Sequence, residues 1–556
     1  MKKSAQIISI CLILLQFNVL GGPLAEAIER CEFSGYFSNL TTVLRQRVPA
    51  DSRRITENFL TELLGDVNFV KALDQWQLLF KLGPSEMGNF ARTSQAHRTF
   101  LAWFLNDSRV MDLYLETATP LGLQAREQNK YKLSTNSLDI LRRIIEADAE
   151  AKDGLYLRLA IATALRPPGT GNRGAGMQQT PSDPVTRYLY FKKAHKNGEL
   201  FPSFAKLSAW ELQFVVSSCA SESDLTWARE LINTWRPDLR INEQVVNSTS
   251  EVKYGNSPHP YTDYKSVISG GGKCGPRSSW AVMVCQAFGI PAIGVGQPGH
   301  ACVAYKAANP LLQPQPGSAW KIAYGRGWQV SRLEGLSGPD FLAGVEERAR
   351  ASDFSKVEHL RWLASALGTA EQSEAIMAIA HKIQKSVPPI KTDITASAKA
   401  EEAEKDAVAE KHDLRAQPPG AKSPIKVGKR VTRIEAADFS GLSGVRVLNC
   451  FTGGKQVNFE KNNQNGWIEY TIDVEAPGTY LLGIKIATPN DDQVLNIDLG
   501  PNKPQTIKLP NTTGLWGMTE PVEISLERGI QKIRISAPFQ RGVAVRYLEF
   551  KPNKYE

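Results

Sequence analysis

The chain of 556 residues has few of the features that assign a protein to a large functional class at once. It has no zinc-finger spacing of cysteine and histidine, no C-x-x-C pair and no glycine-rich phosphate loop. Its net charge of +9 is modest for this length, and no stripe of arginine and aromatic residues accompanies it. We therefore predict no nucleic-acid partner, no metal site and no cofactor.

Long apolar runs are also missing after the first twenty residues. At the N-terminus, the basic "MKK" precedes "IISICLILLQFNVL", and "AEA" at residues 25–27 is an A-x-A cleavage site. The apolar stretch is short for a membrane span and has the flanks of a signal peptide. We expect a signal peptide at residues 1–27, no membrane span after its cleavage, and a secreted or periplasmic mature protein.

Cysteine is scarce, with seven residues in the whole chain. Cys11 would leave with the signal peptide. Six thiols in a large exported chain do not form a disulfide framework, although one or two bridges remain open.

The remaining chain divides by pattern into four parts. Residues 28–250 repeat apolar residues at three- and four-residue steps and predict helices, whereas residues 251–385 alternate one helix, short strands and further helices. A linker rich in Pro, Ala, Glu and Lys follows at residues 386–428. Residues 429–556 alternate apolar and polar residues between turn residues and predict a β-sandwich. The expected fold is therefore multidomain: a helical N-terminal region, an α+β core and a C-terminal β-sandwich.

A candidate catalytic site lies in "GGGKCGPRSSWAVMVCQAFGIPAIGVGQPGH", residues 270–300. Glycines lead to Cys274, which would begin a helix whose N–H groups and dipole favour a thiolate and could hold an oxyanion. His300 precedes an apolar strand and would take the proton from the thiol and return it. From these residues alone, buried structural roles for both side chains remain the alternative.

The order Gly-Gly-x-Cys, helix, "FGIPA", strand and "GHA" resembles the core of the transglutaminase-like superfamily, which has a papain-like cysteine fold. The resemblance covers roughly residues 255–335. It implies that Cys274 is the nucleophile and His300 the base.

The third member of the family's catalytic set is absent here. The family places an aspartate on the strand after the histidine, whereas "WKIAYGRGW" has Tyr324 at that place. Three outcomes stay open: Tyr324 or a backbone carbonyl orients the imidazole, the site acts as a slow dyad, or it is inactive.

If it is active, the resemblance implies acyl transfer from an amide of a protein, glycoprotein or cell-wall substrate through a Cys274 thioester, with hydrolysis as the default outcome. The alternative function is an inactive scaffold that binds carbohydrate or protein outside the cell.

The C-terminal segments, among them "RIEAADFS", "GGKQVNF" and "VAVRYLEF", resemble carbohydrate-binding modules of the family 6 and 35 type, which are jelly-roll sandwiches. The resemblance implies that Phe459 and Trp516 clasp a sugar, so that the sandwich targets the enzyme to a polysaccharide or other glycan. Glu435 matches the first glutamate of the family's calcium motif. Ala437 and Arg546 replace two of its carboxylates, so we expect that calcium site to be lost.

Overall fold

The computed structural model describes ten stretches of the chain and a few single residues. The stretches are residues 22–171, 182–239, 263–307, 320–325, 333–385, 423–450, 452–459, 466–500, 504–538 and 542–553, and the single residues are 242, 245, 246, 249, 252, 328 and 330.

The N-terminal region consists of helices, as its periodicity predicts. They are α1 (residues 22–30), α2 (Ser34–Arg47), α3 (Glu57–Leu64), α4 (Val67–Leu82), α5 (Pro84–Arg92), α6 (Gln95–Phe104), α7 (Ser108–Ala118), α8 (Leu123–Glu127), α9 (Thr135–Ala147), α10 (Gly154–Leu165), α11 (Pro184–Lys196), α12 (Ala209–Val216) and α13 (Glu222–Trp235), with short 3₁₀ turns at Ser52–Arg54, Ala149–Lys152 and Pro202–Lys206.

Helix α4 shows how the local sequence builds this region. The Asp66 carboxylate caps its first turn by accepting from the N–H groups of Asn68 and Phe69, and Gly83, at φ +89°, ends it. Between these ends eleven of the sixteen side chains are buried, so α4 lies at the centre of the helical core. A central helix surrounded by others brings its polar side chains into the interior as well, where they need partners.

A small antiparallel sheet follows the helices. Helices α14 (Tyr264–Gly270) and α15 (Cys274–Ala287) lead into β1 (Ala292–Gln297), β2 (His300–Lys306) and β3 (Trp320–Ala323), with β2 in the middle. Helices α16 (Gly338–Ala349), α17 (Ala351–Ala366) and α18 (Ala370–Lys385) then return to the helical region. Because a short link joins α15 to β1, and β1 is antiparallel to β2, α15 and β2 run in the same direction.

The C-terminal part is a β-sandwich of two sheets. The first has the order β13-β10-β16-β8-β7 with β14 and β5 at its sides, and the second has the order β12-β11-β15-β9-β4 with β6 beside β9. The strands are β4 (Ile425–Val427), β5 (Thr432–Glu435), β6 (Gly441–Ser443), β7 (Val445–Asn449), β8 (Lys455–Phe459), β9 (Gly466–Val474), β10 (Gly478–Ala487), β11 (Val494–Asp498), β12 (Gln505–Lys508), β13 (Gly517–Met518), β14 (Val522–Leu526), β15 (Gly529–Ala537) and β16 (Val543–Pro552). Alternate residues of both sheets fill one core, as the period-two pattern predicts.

Two predicted boundaries lie beside or inside ordered elements of the structure. The linker was predicted to reach residue 428, but β4 pairs with β9 in parallel and already belongs to the sandwich, which therefore begins at Ile425. The predicted end of the signal peptide, at residue 27, lies inside α1, where Leu24 and Ala27 are buried in the helical core. Cleavage there stays a prediction.

The sandwich docks on the C-terminal end of α13. The last carbonyl groups of a helix have no partner within the helix, and here the amides of two β8 side chains supply the donors. Gln456 Nε2 donates to the Thr234 carbonyl at 2.9 Å, and Asn458 Nδ2 donates to the Trp235 carbonyl at 2.7 Å. Both amide side chains are buried, so these bonds fix the sandwich against the helical region.

No helix among the residues placed by the structure has both the length and the apolar character needed to cross a membrane.

Candidate functional site

Cys274 is the first residue of α15, as predicted. Its thiol is free and partly exposed, and the Lys273 side chain at the N-cap makes no capping hydrogen bond. The first N–H groups of a helix have no partner within the helix and carry its positive dipole end, so they favour a thiolate sulfur. The same groups can donate to an oxyanion that forms on an attacked carbonyl.

A hydrogen bond one turn further along sets the register between α15 and β2. Ser278 Oγ donates to the Cys302 carbonyl at 2.7 Å. Moving back one turn on the helix leads to Cys274, a step of about 6 Å, and moving back two residues on the strand leads to His300, a step of about 6.6 Å. Since the two elements run in the same direction, these equal steps bring the helix N-terminus to the start of β2.

The electrostatics of Cys302 agree with this register. Burial raises the pKa of the Cys302 thiol to about 12, with a further contribution from the charge of Cys274, which therefore lies close to it. His300 and Cys302 are two residues apart on one strand, so their side chains are on the same face of the sheet. Cys274 and His300 are thus brought to the same corner of the core.

The histidine is held by a backbone carbonyl. His300 Nε2 lies 2.6 Å from the carbonyl oxygen of Tyr324, just after the end of β3. Because a carbonyl oxygen only accepts, Nε2 carries the hydrogen, and in the neutral ring Nδ1 is left as the basic nitrogen. A backbone carbonyl beside the imidazole is one of the alternatives that the sequence left open.

Tyr324 itself adopts an unusual backbone conformation. Its φ is +61°, in the left-handed region that non-glycine residues seldom adopt. Its phenol donates to the Val246 carbonyl and shares a 2.8 Å hydrogen bond with Thr249 Oγ1. The phenol therefore anchors the residue, and the backbone of the same residue holds the imidazole.

The other thiols of the core have a different environment. Cys285 lies inside α15 and Cys302 inside β2; both are fully buried, and burial raises the pKa of the Cys285 thiol far above its ordinary value. All six cysteines that the structure describes are free, so none of them forms a bridge with Cys274. Cys274 is the member of this group with the exposure that a nucleophile needs.

One group of side chains in the helical region has the composition of a metal site. Oxygen atoms of Asp74 and Asp112 and a nitrogen of His359 lie within 4.8 Å of one another, although no metal site was predicted. His359 Nδ1 lies 2.8 Å from the Ser355 carbonyl and Nε2 lies 3.1 Å from Asp74 Oδ1, so both ring nitrogens act as hydrogen-bond donors. An imidazolium of this kind has no lone pair for a metal, and the group is better described as a buried ion pair.

The electrostatics of this group agree with an imidazolium. Burial alone would lower the pKa of His359, but the hydrogen bond and charge of Asp74 and the charges of Asp112 and Glu116 raise it to about 9. Burial raises the pKa of Asp112 to about 7.

The two residues predicted to clasp a sugar are placed differently in the sandwich. Phe459, at the end of β8, is 1% exposed and belongs to the apolar core, so its ring has no free face for a sugar in this structure. Trp516 lies in the turn before β13 and is partly exposed, while its indole nitrogen is buried. The structure therefore does not bring these two rings together as an open clasp.

Glu435, which was expected to match the first glutamate of a calcium motif, is paired with a guanidinium. Arg546 Nη1 lies 3.3 Å from Glu435 Oε2, and the same side chain donates to the carbonyls of Gly453 and Lys455. A positive side chain already neutralises the glutamate, and oxygens that accept from it are not free to hold a dication.

The loops at one end of the sandwich are covered by α13. A Cβ atom on Gly514 would lie 2.5 Å from Leu231, and one on Gly542 would lie 2.6 Å from the Trp235 ring. The absence of a side chain at both glycines therefore allows α13 to pack closely against these loops. The Trp227 indole donates to the Thr513 carbonyl at 3.1 Å. Sequence reasoning missed this contact, since nothing in the pattern of α13 distinguishes an apolar face buried by helices from one buried by a sandwich.

Comparisons with known proteins give a likeness for the sandwich. No family model and no curated protein matches the sequence. Solved structures that match include the C-terminal family 6 carbohydrate-binding module of LamC from Zobellia galactanivorans, at 18% identity over 22% of this chain and 99% of that chain, with a TM-score of 0.20. A family 6 module of Cellvibrio mixtus lichenase 5A, in complex with cellotriose, matches at 23% identity over 22% of this chain and 97% of that chain, with a TM-score of 0.20.

A family 35 module from Clostridium thermocellum matches at 23% identity over 22% of this chain and 98% of that chain, also with a TM-score of 0.20. The C-terminal β-rich region is thus similar to such modules, while the strand order given above is what establishes its sandwich fold.

Proposed function

We propose that this chain is an exported, transglutaminase-like cysteine acyltransferase that acts as a hydrolase on amide bonds. The observation that carries the proposal is the arrangement of Cys274 at the N-terminus of α15, beside a strand that begins with His300, whose Nε2 is held by the Tyr324 carbonyl. A nucleophile, a base and a group that orients the base are the three parts that such chemistry requires.

The proposed reaction has two steps. His300 Nδ1 takes the proton of the Cys274 thiol, and the sulfur attacks the amide carbonyl carbon to form a tetrahedral oxyanion. The C–N bond then breaks, the amine leaves with the proton from His300, and a thioester remains on Cys274. In the second step water attacks the thioester with His300 again as base, and the acid and the free thiol are released.

The groups around the nucleophile supply the remaining stabilisation. The N–H groups of Cys274 and Gly275, the first two residues of α15, donate to the oxyanion, since Pro276 has no N–H and the Arg277 N–H already donates to the Lys273 carbonyl. The dipole of the helix favours the thiolate. The Tyr324 carbonyl accepts from the imidazolium that forms during attack. Because a carbonyl is neutral, it stabilises that cation less than a carboxylate would, and we expect a slow enzyme.

We propose amides of proteins, glycoproteins or the cell wall as substrates, because a protein exported by the predicted signal peptide meets these outside the cytoplasm. The sandwich adds recognition of glycan, as its resemblance to carbohydrate-binding modules implies. Since the helical region covers one end of the sandwich, we place that recognition at the junction of the two rather than on a separate, mobile module.

An activated ester tests the acyl-enzyme directly. Incubation of the protein with p-nitrophenyl acetate should give a burst of p-nitrophenolate and an acetyl adduct on Cys274 that mass spectrometry of peptides locates. The burst should disappear in Cys274→Ser and slow strongly in His300→Ala. An equal burst in both variants, or an adduct on other residues alone, would support the inactive scaffold instead.

A further inference from the structure

The part of the chain that contains Cys274 and His300 carries charge of one sign. From residue 264 to residue 333 the sequence has no aspartate or glutamate, whereas it has seven basic residues: Lys265, Lys273, Arg277, Lys306, Lys321, Arg326 and Arg332. This stretch includes α14, α15 and all three strands of the small sheet. The net charge of the whole chain is +9, so this short stretch accounts for most of the positive excess.

Lys273 is the cation next to the proposed nucleophile. It is exposed, it directly precedes Cys274, and its side chain makes no capping hydrogen bond to α15. Among the residues that the structure describes, its ammonium has no ion pair, hydrogen bond or ring contact. Consecutive Cα atoms are about 3.8 Å apart and lysine has a flexible stem of four carbons, so the ammonium can reach a group bound at the sulfur.

The carboxylates that flank this stretch lie away from Cys274. Asp263 caps α14 at the end opposite to Cys274, where it accepts from the Ser266 N–H, and the seven residues of α14 extend over about 10 Å. Glu211 pairs with Lys306 at the end of β2 opposite to His300, and a strand of this length extends over about 20 Å. Neither carboxylate therefore neutralises Lys273.

Helix α13, which packs on α15, has three acidic residues that are also directed elsewhere. Glu222 is paired with Arg187 at 2.6 Å, and Asp224 accepts from the serine hydroxyl that caps its own helix at 2.7 Å. The residue before Glu230 donates to the Ala287 carbonyl in the last turn of α15, so Glu230 lies toward the end of α15 that is opposite to Cys274. The described surroundings thus leave the charge of Lys273 available to a ligand.

We propose that Lys273 is a specificity-determining residue that selects peptide amides with a carboxylate beside the scissile bond. This inference rests on the proposed function, and it names the substrate class as acidic peptides. The attraction between two unit charges about 4 Å apart in water is equivalent to about a fivefold change in rate or affinity. A cationic peptide suits the site poorly, because Lys273 and the imidazolium that forms on His300 would both repel it.

A pair of alkylating reagents tests the charge in the full chain without any catalysis. Iodoacetate carries a carboxylate where iodoacetamide carries a neutral amide, and with both reagents the Cys274 sulfur displaces iodide from the same kind of carbon. Because both rates scale with the thiolate fraction, the ratio of the iodoacetate rate to the iodoacetamide rate reports the charge beside the sulfur. Lys273→Gln should lower this ratio about fivefold, and Lys273→Glu should lower it further. Salt at about 1 M should remove most of the difference, since the Debye length is then about 3 Å.

Lys193→Gln is the matched control, because it removes an exposed lysine in the last turn of α11. It should leave the ratio of the two alkylation rates unchanged. The same ratio in the wild type and in Lys273→Gln would refute the inference whatever Cys274 does as a catalyst. A Cys274 that neither reagent labels would refute it as well, since a carboxylate could not then approach the ammonium and the sulfur together.

A pair of esters connects the charge with the substrate. Mono-p-nitrophenyl adipate carries a carboxylate that p-nitrophenyl hexanoate lacks, and Lys273→Gln should lower the burst rate with the adipate relative to the hexanoate about fivefold. If the alkylation ratio depends on Lys273 but the ratio of the two burst rates does not, Lys273 attracts anions without selecting the substrate, and the assignment fails. If neither ester gives a burst while the alkylation ratio still depends on Lys273, it is the proposed function that fails, and the selection of a substrate fails with it.

Discussion

The side chain and the backbone of Tyr324 have different roles at the site. Its phenol is held by Val246 and Thr249, and its carbonyl holds His300. A residue at φ +61° stays in that conformation only where its surroundings impose it. The phenol bonds are therefore the contacts that place the carbonyl at the imidazole.

Removing that hydroxyl tests whether Tyr324 is a positioning residue. In Tyr324→Phe we expect the rate of Cys274 alkylation at pH 7 to fall about threefold to tenfold, the equivalent of about one hydrogen bond. The pH at which alkylation becomes half-maximal should also rise, an effect that simple loss of stability would not cause.

The matched control for this variant is Tyr480→Phe in the sandwich, where the phenol likewise donates to a backbone carbonyl, that of Ala476 at 2.5 Å, with the Gly428 carbonyl further away at 3.3 Å. It should leave alkylation unchanged. Equal rates in wild type and Tyr324→Phe would contradict the positioning role.

A second prediction concerns the buried ion pair of His359. The carboxylates of Asp74, Asp112 and Glu116 raise its pKa to about 9 against burial, and an unfolded histidine titrates near 6.5. A group whose pKa is higher in the folded state stabilises fully below the unfolded value, and this stabilisation is lost as the pH rises through the folded value.

We therefore expect the free energy of unfolding to fall by on the order of 2 kcal/mol between pH 7 and pH 9.5. Urea denaturation measures it. In His359→Gln the fall should vanish and the protein should be less stable at pH 7, because the Asp74 carboxylate loses its cation. The control His381→Gln breaks an exposed ion pair with Glu127 and should keep the fall. A pH-independent stability in the wild type would refute this account of His359.

At the scale of elements, the helices and strands around the site could be predicted from local signals. The apolar run after Cys274 predicted α15, and the turn residues after it predicted β1 and β2, which the structure confirms. The group that holds His300 could not be predicted, because a backbone carbonyl has no signature in the sequence. The early start of the sandwich at β4 was missed for a similar reason, since a three-residue strand inside a Pro- and Lys-rich segment carries too few alternating positions.

The contact between α13 and the sandwich gives an element-scale prediction. Gly542 has φ +88°, and a Cβ atom there would lie 2.6 Å from the Trp235 ring. Gly542→Ala should therefore weaken docking, so that calorimetry resolves separate unfolding of the sandwich and the helical region.

Gly453→Ala is the matched control for the docking variant. Gly453 has nearly the same φ, +91°, but a Cβ atom there meets nothing within 4 Å. The Gly453→Ala variant has the same backbone strain without the clash, so the sandwich and the helical region should still unfold in one transition. If both variants unfold alike, backbone strain rather than contact with Trp235 would explain the effect, and the docking account would fail.

At the scale of the whole molecule, the sandwich is part of the folded core rather than an appendage. Its buried amides complete the C-terminus of α13, and the Thr513 carbonyl in one of its loops accepts from the Trp227 indole of the same helix. The order of the chain suggested a module joined by a linker, because a sequence shows which residues are adjacent along the chain but not which distant surfaces meet.

Alkylation by iodoacetamide against pH, in the wild type and in His300→Ala, shows whether His300 assists the Cys274 thiol. Mass spectrometry locates the label, and the buried Cys285 and Cys302 are internal controls that should stay unmodified in the folded protein. We expect labelling of Cys274 to persist well below pH 8 in the wild type and to weaken there in the variant. Labelling of Cys274 that is absent, or that follows the same pH curve in both proteins, would contradict it.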